Sequence, residues 1–245
     1  MAGMTLAILQ ARMSSTRLPG KVLADVVGAP MILRQIERLR RSRRLEGIVV
    51  ATSDDPSDDG LAEMLPLHDV AVHRGSLDDV LARYAGALEV FPAPVVVRLT
   101  GDCPLADPEV IDAVIDAVID LLMDEDLDYA ANTPAHRTYP KGLDVEVMRS
   151  ACLLRAARAA KDPYEREHVT PYLIRHPELF AQDFISQDVD EGEVRWTVDR
   201  PDDLEFVRAV YGALYKGEPA FSSDDVRALV RGRPDLAMLG GDRRI

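Results

Sequence analysis

Apolar positions along the chain follow two alternating patterns. Short apolar runs read as strands, and between them lie longer stretches whose apolar residues recur at helical spacing. TLAILQ (5–10) reads as the first strand. Over 30–41, Ile32, Leu33, Ile36 and Leu39 form one helical stripe, and Pro30 suits the first turn. GIVVATS (47–53) and VAVHRG (70–75) read as the next strands. A helix over 77–90 leads to VVVRLTGD (95–102), apolar enough for a central strand. A further helix is predicted over 108–123.

Beyond about residue 128 the pattern changes. LDYAANT reads as a strand, a loop with Pro134 and Pro140 follows, and GLDVEVM alternates like a strand. Helices are predicted at about 150–161 and 165–175, strands near 180–186 and 194–198, and closing helices from near Pro201 and Ser222. The alternation predicts an α/β fold, a mostly parallel sheet flanked by helices. Residues 1–245 are expected to form one domain, with 128–186 a small inserted lobe for substrate or dimerisation. There is no internal repeat or long linker.

Composition narrows the function. A formal net charge of −13 argues against generic nucleic-acid binding, since phosphate backbones reward positive surfaces. A local basic site focusing field on a small anion remains open. No apolar run approaches a membrane span, and the N-terminus lacks a signal-peptide pattern. Two cysteines, Cys103 and Cys152, are too few for a metal-ligand set, and the expected compartment is a reducing cytoplasm.

In open α/β sheets, ligands bind beyond the carboxyl ends of the strands. Three features fall there. The first is LQARMSSTRLPGKVL, a cationic loop in an acidic chain. It is not a Walker A loop, because Ser15 stands at the first-glycine position and Val22 follows Lys21; with Gly20 alone it is not a dinucleotide fingerprint either. Arg12, Arg17 and Lys21 supply charge, Ser14, Ser15 and Thr16 supply neutral donors, and Pro19-Gly20 permits a turn that brings amides close. The competing reading is a solvated loop; the position after a buried strand favours an anion site.

The second and third features are LTGDCPL and RWTVDRPDDLEFV. Asp102 and Asp199 each end a strand-like run, with Pro close behind. Each alone reads equally well as a turn or helix cap. Together, beside a cationic loop, they resemble a site for Mg²⁺ and a polyphosphate.

QARMSSTRLPGK, TGDCPL and VDRPDDLEFV resemble the cytidylyltransferases that activate acidic sugars, the acylneuraminate and 3-deoxy-manno-octulosonate enzymes among them. VHRGSLDDVLARY, YPKGLDVEVM and EREHVTPYLIRHP are similar to the branch named after spore coat polysaccharide biosynthesis protein F. The resemblance spans Leu6 to about Val207. It implies a Rossmann-like nucleotide-diphospho-sugar transferase (GT-A) fold, a homodimer, and transfer of CMP from CTP to an acidic sugar with release of pyrophosphate. By matching motif it implies triphosphate binding by Arg12, Arg17 and Lys21, nucleotide contacts from Gln10, Ala11, Ser14, Ser15, Ser76, Asp78 and Thr100, and Mg²⁺ on Asp102 and Asp199. Arg12, Lys21, Asp102 and Asp199 would form the catalytic set. Two positions depart: Gln10 stands where the family more often has Pro, and Thr100 where the octulosonate enzymes have Gln. The second departure leaves the base open.

Substrate candidates lie in the lobe. Asp144 and Glu146 share a strand face, and Arg166 and His168 sit in a charged helix; solvated faces compete with both assignments. Weaker signals read as structure. Arg34, Arg38, Arg40, Arg41, Arg43 and Arg44 fit a helix C-terminus or an oligomer interface, since no aromatics interleave them. Asp112, Asp116 and Asp120 fit an exposed helical face, and Trp196 the core. Rival functions are a glycosyltransferase on the same kind of sheet, a nucleotidyltransferase for another triphosphate, and a non-catalytic nucleotide-sugar sensor. Pyrophosphate release separates nucleotidyl transfer from the first and last.

Overall fold

The computed structural model describes residues 5–124, 126–216 and 219–245. Its strands are β1 (Thr5–Gln10), β2 (Asp25–Val26), β3 (Ala29–Pro30), β4 (Gly47–Ser53), β5 (Ala71–Gly75), β6 (Val95–Thr100), β7 (Tyr129–Ala131), β8 (Glu146–Arg149) and β9 (Gln182–Phe184). Its helices are α1 (Met31–Leu39), α2 (Asp59–Met64), α3 (Val80–Val90), α4 (Pro108–Met123), α5 (Ser150–Ala159), α6 (Pro163–His168), α7 (Pro171–Arg175), α8 (Pro201–Leu214), α9 (Ser223–Arg231) and α10 (Pro234–Ala237).

Seven strands form one sheet in the order β5-β4-β1-β6-β8-β7-β9, and β2 and β3 pair apart. The four strands from β5 to β6 run parallel, so all their carboxyl ends open on one edge. Strand β8 is antiparallel to both β6 and β7, and β9 runs parallel to β7. Residues 128–186 thus extend the sheet by three strands.

Alternation along β1 sets the layers. Ala7, Leu9 and Ala11 pack with Ile32, Ile36, Ile111 and Val114 of α1 and α4. Leu6 and Ile8 face the other way, toward Leu81 and Tyr84 of α3 and Leu153 of α5. A third core joins Phe206 and Tyr211 of α8 with Trp196 before it and Phe221 after it.

Several elements depart from the sequence reading. The run 194–198 forms no strand beyond a single parallel bridge between Lys141 and Arg195. Its alternating Val194, Trp196 and Val198 are buried, but against α8 rather than in a sheet. The helix expected over 165–175 breaks in two: Val169 adopts φ 75°, and Pro171 lacks the N–H that a continuous helix uses. Helix α2, short and lacking a long apolar stripe, gave no periodic signal. Asp112 is not exposed. It accepts hydrogen bonds from Ser42 and from the Arg43 and Arg44 amides, and Arg44 pairs with Asp116, so the basic run binds the acidic face of α4.

Candidate active site

The opening loop is shaped by local constraints. Gly20 adopts φ 73°, a left-handed conformation that glycine takes without penalty, and its amide donates to Met13 O at 2.9 Å. It precedes a 3-10 turn over Lys21–Leu23 that points Lys21 inward. The loop is pinned near its start by Asp58, buried in the 3-10 turn (Pro56–Asp58) that follows β4. That carboxylate accepts from the Met13 amide at 2.7 Å, from Thr52, and from both the amide and hydroxyl of Ser53. These bonds outweigh burial and hold Asp58 below the usual carboxylate range. Strand β6 ends at Gly101, where a Cβ would lie 3.0 Å from that of Ala11 and 3.1 Å from Gln10 O. Glycine is required there for the two strand ends to meet.

A cavity of about 310 Å³ opens at this edge. It is lined from the loop by Ala11, Arg12, Ser15, Thr16, Arg17 and Lys21, and from the strand ends by Gln10, Thr100 and Asp102. Val80, Arg83, Glu167, His168 and Asp199 complete it. Lys21 links the two aspartates. Its Nζ donates to Val198 O at 2.6 Å and to Asp199 Oδ1 at 3.1 Å, and lies 3.5 Å from Asp102 Oδ2. Arg17 reaches the same Asp199 oxygen at 2.9 Å, and Arg195 takes the other at 2.6 Å. Burial opposes ionisation of Asp199, but the Arg195 hydrogen bond and the Lys21 charge overcome it and hold its carboxyl below the usual range. Thr100 donates to Asp102 Oδ1 at 2.6 Å. Arg12 has no hydrogen-bond or ion-pair partner among the described residues, so its charge is available to a ligand.

The aspartates fit a small hard cation. Both converge on one ammonium, and Asp102 Oδ2 meets no other donor among the described residues. No group of three or more His, Cys, Asp or Glu gathers among the described residues. Such an ion would therefore take two ligands from the protein and the rest from substrate oxygens or water, as Mg²⁺ commonly does with phosphates.

The remaining sequence candidates lie elsewhere. Ser14 stays in the loop, but its buried hydroxyl has no partner and does not line the cavity. Ser76 and Asp78 are exposed; Ser76 accepts from the Asp79 amide just before α3. Arg166 is paired with Asp79 and donates to the carbonyls of Ala157 and Ala160. Asp144 and Glu146 line a second cavity of about 150 Å³ with Arg98, Thr100, Thr133 and Arg137. Among the described residues only Thr100 lines both cavities. In the second, Arg137 grips both oxygens of Asp144, and Glu146 pairs with Arg98. Glu146 also accepts from Tyr129 and Thr170, each at 2.7 Å.

Sequence reasoning missed Arg83, Asp58 and Arg195. Arg83 was findable, since it is a charged residue on the buried stripe of α3 with Val80, Tyr84 and Ala87. Its guanidinium donates to Leu77 O at 3.1 Å and Ala51 O at 3.4 Å, and Nε is left without a partner. Asp58 reaches the Met13 amide from 45 residues away, which no local pattern announces; Arg195 pairs with Asp199 only four residues on, a spacing the sequence displays but which carries no signal outside a helix.

The chain is similar to known proteins over most of its length. The model of a family described as Cytidylyltransferase matches residues 6–211. Spore coat polysaccharide biosynthesis protein SpsF of Bacillus subtilis is 35% identical over 95% of this chain and 96% of its own. A 3-deoxy-manno-octulosonate cytidylyltransferase of Geobacter sulfurreducens is 39% identical over 43% of this chain and 42% of its own. The solved structure of a cytidylyltransferase from Leptospira borgpetersenii superposes with a TM-score of 0.88 at 30% identity, covering 95% of each chain.

Proposed function

The chain belongs to the cytidylyltransferase family, and on that premise we propose that it transfers CMP from CTP to an acidic sugar or similar acceptor, releasing pyrophosphate. The product would feed cell-surface polysaccharide or glycoconjugate synthesis. One observation carries the reading: Arg12, Arg17 and Lys21 meet Asp102 and Asp199 in one cavity at the carboxyl ends of parallel strands.

In the reaction an acceptor hydroxyl attacks the α-phosphorus and gives up its proton to water, the bond from that phosphorus to the bridging oxygen breaks, and pyrophosphate departs with the electron pair. Arg12, Arg17 and Lys21 bind the triphosphate and stabilise the charge that grows on the leaving group. Ala11, Ser15 and the loop amides position it. Arg17 and Lys21, paired to Asp199, exchange carboxylate for phosphate oxygens. Asp102 and Asp199 would hold Mg²⁺, which supplies Lewis-acid charge neutralisation at the phosphates. Fixed charges and positioning account for this chemistry without a dedicated base. The acting unit is a single domain whose segment 128–186 faces the acceptor, working as a homodimer in the cytoplasm. No helix among the described residues is long and apolar enough to cross a membrane.

The test is pyrophosphate release with Mg²⁺ across four nucleoside triphosphates and a panel of sugar acids that includes 3-deoxy-manno-octulosonate. CTP should turn over fastest, and Asp102→Asn should lower the rate about 100- to 1000-fold. A wild-type chain that releases none with any pairing, or that transfers sugar from a preformed nucleotide-sugar instead, overturns the reading.

A further inference from the structure

The amide of Gln10 has an orientation that the protein itself dictates. Gln10 ends β1, and the alternation that sends Leu9 and Ala11 toward α1 and α4 places Gln10 on the opposite face, with Ile8 and Tyr84. There its Oε1 lies 3.1 Å from Arg98 Nη2 and 3.4 Å from the Tyr84 hydroxyl. A guanidinium has donors only, so the oxygen of the amide, not the nitrogen, must face Arg98. Arg98 cannot swing away, because its other terminal nitrogen is held by Glu146. The Nε2 group is thereby turned away from Arg98, and it has no partner among the described residues. Gln10 lines the main cavity, so this pair of N–H donors is offered to a ligand.

The same contacts say which ligand. Through Arg98 and Glu146 the amide is braced by the wall of the second cavity, not by the phosphate loop. Its register partner on β6 is Thr100, the residue common to both cavities. Lys21 and Asp199 belong to a separate set of contacts, centred on Val198 O. The second cavity cannot read a ligand anion with a free cation, since Arg98 and Arg137 are each closed onto a carboxylate. A neutral, fixed donor at its mouth suits an oxygen acceptor that needs no counter-charge.

We propose that Gln10 Nε2 is a specificity-determining donor to an oxygen of the acceptor, at the junction of the two cavities, and not a nucleotide ligand. This rests on the nucleotidyl-transfer reading of the main cavity. Gln10→Glu is the informative variant: it keeps an oxygen for Arg98 and Tyr84 while removing the N–H donors.

The experiment follows the Gln10 side-chain amide in ¹H–¹⁵N spectra, assigned by its loss in Gln10→Glu. The chain is titrated first with CTP and then with the sugar acid giving the fastest wild-type pyrophosphate release. The expected result is an amide shift that appears only with the sugar acid. In parallel, kcat/KM for that acid should fall about 10- to 100-fold in Gln10→Glu, with CTP affinity within about twofold of wild type. An amide that shifts with CTP alone, an amide that shifts with neither, or an unchanged kcat/KM each overturns the inference. If no acid releases pyrophosphate, the functional reading fails separately. The amide titration then uses 3-deoxy-manno-octulosonate, where a shift supports the donor role and its absence overturns it.

Discussion

Two clusters of opposed charges flank Thr100 and use the same chemistry to different ends. On the loop side, Lys21 and Arg17 meet Asp102 and Asp199; on the lobe side, Arg98 meets Glu146. The first cluster lies at a cavity wall, and Asp102 has 28% of its side chain exposed and a 3.5 Å contact to Lys21. In the second, Glu146 is 9% exposed and accepts from Arg98, Tyr129 and Thr170. Glu146 has no face left for a ligand, whereas Asp102 is partly exposed and 3.5 Å from Lys21, and Asp199 is held in part by Arg17, whose side chain is 61% exposed and can leave it for another anion. Solvent access to the partners, more than charge, separates scaffold from site here.

The strongest way to break this comparison is to remove a member of the closed cluster. Glu146→Ala leaves the Arg98 charge buried and uncompensated, which costs about 3–5 kcal/mol. Denaturant unfolding of the purified variant should show a loss of that size. Pairing the change with Arg98→Met should recover most of it, because a buried ion pair is worth far less than the cost of breaking it one-sidedly. If Glu146→Ala leaves the unfolding midpoint unchanged, the cluster is not closed and Glu146 returns as a candidate substrate ligand.

How far the sequence foretold this division depends on the residue. The loop 11–21 and Asp102 were legible because each follows an apolar strand, and strand ends in an α/β sheet converge; Asp199 was legible from the apolar run before it, although that run is no strand. Helix α4 matched its predicted bounds, 108–123, since Pro at its start and a sustained apolar stripe mark it at both levels. Glu146 was legible as a charged residue on a strand, but not as a buried one. Its partners Arg98, Tyr129 and Thr170 come from β6, β7 and the turn before α7, and only tertiary pairing reveals them. The 194–198 run misled for a related reason. Alternating burial against a helix leaves the same trace as alternating burial in a sheet.

Acid should act on the two clusters together and then be separable by mutation. Burial opposes the ionised form of Glu146, but the charge of Arg98 and the hydroxyls of Tyr129 and Thr170 outweigh it and lower its carboxyl from 4.5; Asp199 is likewise lowered from 3.8. Because the folded values lie below the unfolded ones, this stabilisation is full above about pH 5 and is lost as pH falls through the folded values. Wild-type stability should be flat from pH 7 to 5 and fall on further acidification, in urea unfolding measured across that range. The gap between wild type and Glu146→Gln should narrow over the same range. A gap that widens on acidification would reverse the assigned sign and remove Glu146 from the ionised cluster.

The smallest effect belongs to the loop side. Asp102→Asn, expected to lower pyrophosphate release most, should shift unfolding stability by no more than about 1 kcal/mol, in keeping with a partly exposed pair. The asparagine oxygen can still accept from Thr100, which donates to Asp102 Oδ1 at 2.6 Å. Lys21 keeps its bonds to Val198 O and Asp199, so its ammonium is not orphaned. Urea midpoints of wild type and variant, measured without nucleotide, check this directly. A loss as large as that of Glu146→Ala would mean that Asp102 holds the fold together, and the contrast between exchangeable and closed clusters would fail at its most exposed carboxylate.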